Sequence, residues 1–283
     1  MLYIVTPVFN RKKFTVNYLN SLRNQVFKDF KIIIIDDGST DATSEIIQDQ
    51  FPEVILLKFP GELWWAEATN IGVKHAISLG ASYIMTMNDD TLMESCFLEK
   101  IMDIASDNPE VILGAIGVHA DTGAIIDGGW NINWKTAKYE NKLHSLKIED
   151  RHGLHSVNVA PGRSLLIPVS VFEKIGFYDS KNFPQAVADF DFTIRAFNYG
   201  FKIFCSYDAK IAMYQGASGG VELILNKSIR NYYQHLFGIK GAGNLIRFTV
   251  FAFKNAPKKY LLSFWILGVL RRLINYFTIK PSL

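Results

Sequence analysis

The chain has 283 residues, 49% of them apolar, enough for one large core or two small ones. Its two cysteines, Cys96 and Cys205, lie far apart, which argues against a disulfide framework or a zinc site and for a reducing compartment. The net charge is only +3, but residues 226–283 carry ten Lys or Arg and no acid, so the first 225 are acidic and a basic tail faces something anionic.

The run "LYIVTPVF" predicts a first strand broken by Pro7, with no basic segment before it that would mark a secretory signal. Phe14, Tyr18, Leu22 and Val26 recur at helical spacing and predict a helix over 11–27. "KIIIIDDGSTD" reads as a buried strand ending in acids and a Gly-Ser turn, followed by a helix with Asp41 as its N-cap. "VILLKF" is a short strand, "AEATNIGVKHAISLG" a helix stopped by Gly80, and "SYIMTMN" the next strand. Strands and helices alternating at this spacing predict a parallel sheet with helices on both faces. Ligands bind such sheets beyond the carboxyl ends of the strands.

Residues 110–165 hold strand-like pieces, "VILGAIGVHA" and "LHSVNVAPG", among loops. "LLIPVSVFEKIGFYD" predicts a strand and a helix. A further helix is expected from about Asp189 to Tyr199, stopped by Gly200 and followed by a strand. Beyond 221 the chain reads as helical and basic.

Acids gather at two strand exits, Asp36-Asp37 and Asn88-Asp89-Asp90. Paired carboxylates there can hold a hard divalent cation and leave room for substrate phosphates. The plain alternative is a turn, which Asn and Asp form readily. Asp189 and Asp191, two apart, do not share one helix face. One can cap the helix while the other acts as a general base. Trp64-Trp65 suits either core or an aromatic wall for a base or sugar. His152 and His155 have a spacing that suits a metal, but no third ligand follows, so a surface loop is expected.

Six segments, in order over residues 1–220, resemble family 2 glycosyltransferases of the GT-A fold: "VTPVFNR", "IIIIDDGSTD", "PGELWWAEATNIGVKHA", "YIMTMNDDT", "GRSLLIPVSVFEKIGFYD" and "ADFDFTIRAFNYGFKI". The Trp-Trp form and "NDDT" look most like bacterial rhamnosyl- and galactosyl-type transferases of surface polysaccharides. The resemblance implies a Rossmann-like α/β fold with a mixed, mostly parallel sheet and C-terminal helices. It divides residues 1–220 into a nucleotide-sugar-binding half (1–91) and an acceptor-binding half (92–220), followed by a helical region (221–283). It implies that Thr6, Pro7, Phe9 and Asn10 line the nucleotide pocket and that Asp37 contacts the uracil or thymine ring. Trp65 and Asn70 border the donor sugar. Asn88, Asp89 and Asp90 stand at the metal motif, with Asp90 the main ligand of Mn or Mg and Asp89 nearer the ribose or a metal water. Asp189 is the catalytic base and Asp191 supports it.

Three departures bear on this expectation. Asn88 replaces an acid of the metal motif, Ala188 replaces the Glu that often precedes the base, and "IAMYQGASGG" has Tyr214 and Gln215 but no metal-binding His. The implied reaction is inverting transfer from a UDP- or dTDP-linked sugar to a hydroxyl of a glycan or lipid-linked acceptor, on the cytoplasmic side. A degenerate family member that only binds nucleotide sugar is an alternative. A sugar nucleotidyltransferase is another, and the lack of glycine in "TPVFNRKK" counts against it.

In the tail, "APKKYLLSFWILGVLRRLINYF" flanks an apolar body with two Lys and two Arg, a pattern for the interface of an anionic bilayer or for helices packed on the domain. Its eleven-residue uncharged run, 260–270, is too short for a spanning helix of roughly twenty. No nucleic-acid-binding motif accompanies the charge.

Overall fold

The computed structural model describes residues 1–214 and 227–278. The first elements come in the expected alternation: β1 (Leu2–Val8), α1 (Lys12–Arg23), β2 (Phe30–Asp36), α2 (Thr43–Gln50), β3 (Ile55–Lys58), α3 (Trp64–Ser78) and β4 (Tyr83–Met87). Strands β3, β2, β1 and β4 lie side by side and are parallel throughout. The isoleucine run of β2 is buried on both faces. Ile33 and Ile35 pack with the α3 residues Ala66, Val73 and Ala76, while Ile32 and Ile34 pack with Tyr18, Leu22 and Ile47 from α1 and α2. An uninterrupted apolar strand is what a sheet covered on both sides requires.

Four local expectations shift. Pro7 does not break β1: by then β1 has left β4, with which it pairs only over Leu2–Val5, so the missing N–H costs no ladder bond on that side. Helix α1 ends at Arg23 because the chain is drawn to the loop at Glu94 and Ser95. There Gln25 donates to the Glu94 carbonyl (2.8 Å) and the Val26 N–H to the Ser95 carbonyl (2.8 Å). Asp41 is not the cap residue of α2. Ala42 takes that place at φ 64°, and the Asp41 carboxylate receives the N–H groups of both Thr43 (3.1 Å) and Lys12 (3.0 Å), tying two helix starts together. Helix α3 begins at Trp64, before the expected Ala66, because Asp37 accepts the Leu63 and Trp64 N–H groups.

The chain continues through β5 (Thr91–Met93), α4 (Phe97–Asp107), β6 (Ile112–His119), β7 (Ile125–Asp127), the hairpin β8 (Trp130–Asn133) and β9 (Lys138–Asn141), and β10 (Leu154–Ser156). Then come β11 (Ser164–Pro168), α5 (Val169–Ile175), α6 (Ala188–Tyr199) and β12 (Ile203–Met213). The sheet is mixed. β11 enters antiparallel between β4 and β6, and β12 lies parallel to β6. Gly200, at φ 115°, ends α6 as its sequence predicts.

Three helices close the described chain: α7 (Ile229–Phe237), α8 (Leu245–Asn255) and α9 (Leu261–Thr278). Ser228 caps α7 by accepting the Asn231 N–H (3.1 Å), and Asn244 caps α8 by accepting that of Arg247 (2.9 Å). Helix α8 rests on α6 through Asn255, which donates to Asp191 Oδ1 (2.9 Å), and Phe251 of α8 and Phe264 of α9 join the same core. The start of the tail and most of "IAMYQGASGG", Gln215 included, lie outside the described residues.

Candidate active site

β1 and β4 are parallel neighbours, so the loops leaving their carboxyl ends run side by side. Arg11, just beyond β1, therefore meets the acids just beyond β4. Its guanidinium donates to Asp89 Oδ1 (2.9 Å) and Asp90 Oδ2 (3.1 Å). The Thr15 hydroxyl donates to Asp89 Oδ2 (2.9 Å). Asp89 is buried, and burial pushes its carboxyl up to about 6, with Asp90 adding to the rise and Arg11 opposing it. Asp90 is partly open, and among the described residues its Oδ1 has no hydrogen bond.

The β2 exit is tied down by its own acids. Asp36 is buried and accepts from the Ser39 N–H (2.8 Å) and the Ser44 hydroxyl. Asp37 receives the two N–H groups at the start of α3, each at 3.0 Å. Gly38, at φ 87°, lets this loop approach Pro60 and Gly61 so closely that a Cβ would lie 2.9 Å from their backbone. Asn10, at φ 51°, accepts the Thr40 N–H (2.7 Å) and joins the β1 and β2 loops. Phe9 is 52% exposed beside it and Pro7 half-buried.

Trp65 carries this edge across to α6. Its Nε1–H donates to Asn88 Oδ1 (3.0 Å), and its ring lies against Gly162, where a Cβ would come within 2.6 Å of it. The Gly162 N–H donates to Asp189 Oδ2 (3.0 Å), while the Phe190 N–H binds Oδ1 (2.9 Å). Burial raises the Asp189 carboxyl above the usual carboxylate range, against these N–H groups and Arg163. That moves it toward what a general base needs. The next residue along, Arg163, pairs with buried Asp127 and feels the charges of both Asp189 and Asp90. The acids at 89, 90 and 189 and the ring of Trp65 are thus joined by one chain of contacts, and this is the candidate cleft, with Arg11 and Arg163 as its cations.

Three candidate residues face away from that cleft. Thr6 is buried, with its hydroxyl 2.7 Å from that of Tyr18. Asn70 is buried and spends its amide on the backbone of Tyr178, donating at 2.9 Å and accepting at 3.0 Å. Asp191 is fully buried and accepts from Arg195 (2.9 Å), Lys254 (3.0 Å) and Asn255 (2.9 Å). The support it gives is to the seat of α8 on α6. The second acid of the pair is a structural anchor because it lies on the core side of the helix.

Arg11, Thr15, Asp127, Gly162 and Arg163 carry functional contacts that sequence reasoning missed. Arg11 and Arg163 sit inside the quoted segments "VTPVFNR" and "GRSLLIP", and that position was the available signal. As to metals, no group of three or more His, Cys, Asp and Glu is placed to hold one among the described residues. Asp90 keeps one oxygen open, with Asp89 fixed behind it by Arg11 and Thr15. His155 is a loop staple, its Nε2 lying 3.0 Å and 2.9 Å from the carbonyls of Asp150 and His152.

A single mixed sheet with flanking helices is the GT-A-like, Rossmann-like arrangement of nucleotide-sugar transferases. Residues 3–176 match Glycosyl transferase family 2, and the chain belongs to that family. The dTDP-rhamnosyl transferase RfbF of Shigella flexneri is 22% identical over 237 residues, 82% of this chain and 77% of its own length. The UDP-N-acetylglucosamine–dolichyl-phosphate N-acetylglucosaminyltransferase of Methanococcus voltae is 28% identical over 131 residues, 41% of this chain and 51% of its own. Several matched relatives are much longer: an uncharacterized glycosyltransferase of Rickettsia felis, 32% identical over 65% of this chain, is aligned over only 27% of its length. Among solved structures, S. aureus TarS 1-349 in complex with UDP-GlcNAc superposes with a TM-score of 0.62 at 13% identity, covering 100% of this chain and 76% of that one. At that identity the likeness concerns the fold.

Proposed function

We propose that this protein is an inverting glycosyltransferase that moves a sugar from a UDP- or dTDP-linked donor to a hydroxyl of a glycan or lipid-linked acceptor in bacterial surface-polysaccharide synthesis. The observation that carries the reading is the placement of Asp189 across Arg163 from Asp90, beside Trp65. Asp37 and the loop held by Asn10 border the nucleotide, and Trp65 borders the donor sugar. Arg11 and Arg163 bring positive charge to the donor diphosphate. Asp189 takes the proton of the acceptor hydroxyl. That oxygen attacks the anomeric carbon from the side opposite the diphosphate. The bond from carbon to diphosphate oxygen breaks, the nucleoside diphosphate leaves with the electron pair, and configuration inverts. A divalent cation held by Asp90, when bound, neutralises charge on the leaving diphosphate. A rhamnosyl- or galactosyl-type donor is the finer expectation, in line with RfbF.

The test is the Asp189→Asn variant against a panel of UDP- and dTDP-sugars. Transfer is expected to fall by about 10²–10⁴ while nucleotide binding survives, and wild-type turnover by that variant would overturn the assignment.

A peripheral place on the inner face of an anionic membrane completes the proposal. No helix among the described residues is long and apolar enough to cross a bilayer. Yet Leu262, Ile266, Leu270, Ile274 and Phe277 of α9 are all exposed, at spacings that put them on one stripe. Lys258 and Lys259 stand at its start, where acidic headgroups meet them.

A further inference from the structure

A second concave site lies away from the acid cleft. It is a cavity of ≈ 650 Å³ between the β8–β9 hairpin and the C-terminal helices, with Tyr139, Asn141, His235, Arg271 and Arg272 among its lining. Its chemistry is incomplete as it stands. The Nε groups of Arg271 and Arg272 and Nδ1 of His235 are buried with no hydrogen-bond partner among the described residues. His235 is 4% exposed. Gly243 packs so closely on its ring that any side chain there would collide with it.

Among the described residues neither arginine reaches a carboxylate. Arg271 donates to the Thr136 carbonyl (3.3 Å). Arg272 donates to the Gly268 carbonyl (3.3 Å), lies 3.6 Å from the centre of the Phe248 ring and bonds the Tyr139 side chain. The sequence offers no remedy nearby, because residues 226–283 contain no acid. Among the described residues, the acid lining the cavity is Glu140, which is exposed and accepts from Asn133 (3.3 Å). Partly buried cations without a counter-charge are costly, and several cationic or N–H donors around one hollow suit an oxyanion.

The cavity backs onto the proposed catalytic base. Tyr139 on its wall lies 5.9 Å, ring to ring, from Phe190, the neighbour of Asp189. Trp130, also on the wall, bridges to Val159 in the segment that leads to Gly162. We propose that this cavity binds the phosphate or diphosphate ester of the acceptor, with Arg271, Arg272 and His235 as its donors. The word acceptor rests on the transferase reading, whereas the anion site itself does not.

The experiment is calorimetric titration of the full chain with inorganic pyrophosphate, with UDP present in excess to occupy the donor cleft. Wild type is expected to bind pyrophosphate. Arg271→Gln and Arg272→Gln are expected to bind it about tenfold or more weakly, the loss of a charge-assisted hydrogen bond, with unchanged affinity for UDP. Arg272 also rests on Phe248, so Arg271→Gln carries the test if Arg272→Gln melts early. Wild-type affinity in a folded Arg271→Gln, or no pyrophosphate binding by wild type, overturns the proposal. Loss in the variants together with binding of neither UDP nor dTDP by wild type keeps the anion site and sinks the transferase reading. Geranyl diphosphate and glycerol phosphate then identify the source. Tighter binding of the first assigns a lipid-linked diphosphate, and tighter binding of the second a soluble phosphate ester.

Discussion

The acid cleft and the C-terminal helices handle charge in opposite ways. In the cleft each cation has an anion: Arg11 holds Asp89 and Asp90, and Arg163 holds Asp127. Around α9 the arginines are tucked against carbonyls and a ring, with no acid paired to them among the described residues. The apolar surface differs likewise. β2 is covered on both faces, while Leu262, Ile266 and Leu270 stand more than a third exposed. One region is complete within the chain. The other has donors and apolar surface in excess of what the described residues satisfy, which is the mark of a surface that meets something else.

Predictions can break this contrast, and the largest concerns two acids in one helix turn. Asp189→Asn is expected to lower kcat by about 10²–10⁴, the usual worth of a general base, and to leave stability and nucleotide affinity near wild type. Asp191→Ala, two residues on, should do the reverse. Removing one partner of a buried charge network costs about 3–5 kcal/mol, read by denaturant unfolding, because Arg195 loses its carboxylate and Lys254 keeps only Asp179. A stable Asp191→Ala with lost activity would show that the two roles have been exchanged.

A smaller effect is set by pH. The Asp89 carboxyl is raised to about 6 in the folded state, so the folded protein binds this proton more tightly than the unfolded chain. Its contribution to stability is therefore greatest below pH 4, falls as pH rises to 6, and is flat above. The span is about 3 kcal/mol for a shift of this size. In Asp89→Asn that component of the pH dependence should be absent, and an identical stability profile for the two proteins would contradict the burial argument. The smallest effect tests the unfinished region. Lys258→Glu with Lys259→Glu should weaken binding to vesicles of anionic lipid by about 1 kcal/mol for each basic charge lost. Added salt should mimic the change, measured by sedimentation. Equal binding to neutral and anionic vesicles would remove the lysines from the account.

Much of this was readable in the sequence. Four isoleucines before two acids announced a buried strand with its exit at a ligand edge, and "ADFDFTIRAFNYG" announced α6 and its glycine stop. The antiparallel entry of β11 was not readable, because "LLIPV" is apolar whichever way it runs. Nor was the short β5, whose three residues form a strand only because β12 passes beside them. Arg163 could not be told from any basic residue in a loop until the fold set it between Asp127, Asp189 and Asp90.

The amino-acid order alone fixed the alternation of strand and helix and put carboxylates at two strand ends, since period and turn chemistry are local properties. The tertiary structure decided which of those carboxylates face the cleft and which cations meet them. Asp189 and Asp191 share one helical turn and one chemistry, and only the packing of α8 on one side and Gly162 on the other gives one to the cleft and the other to the core.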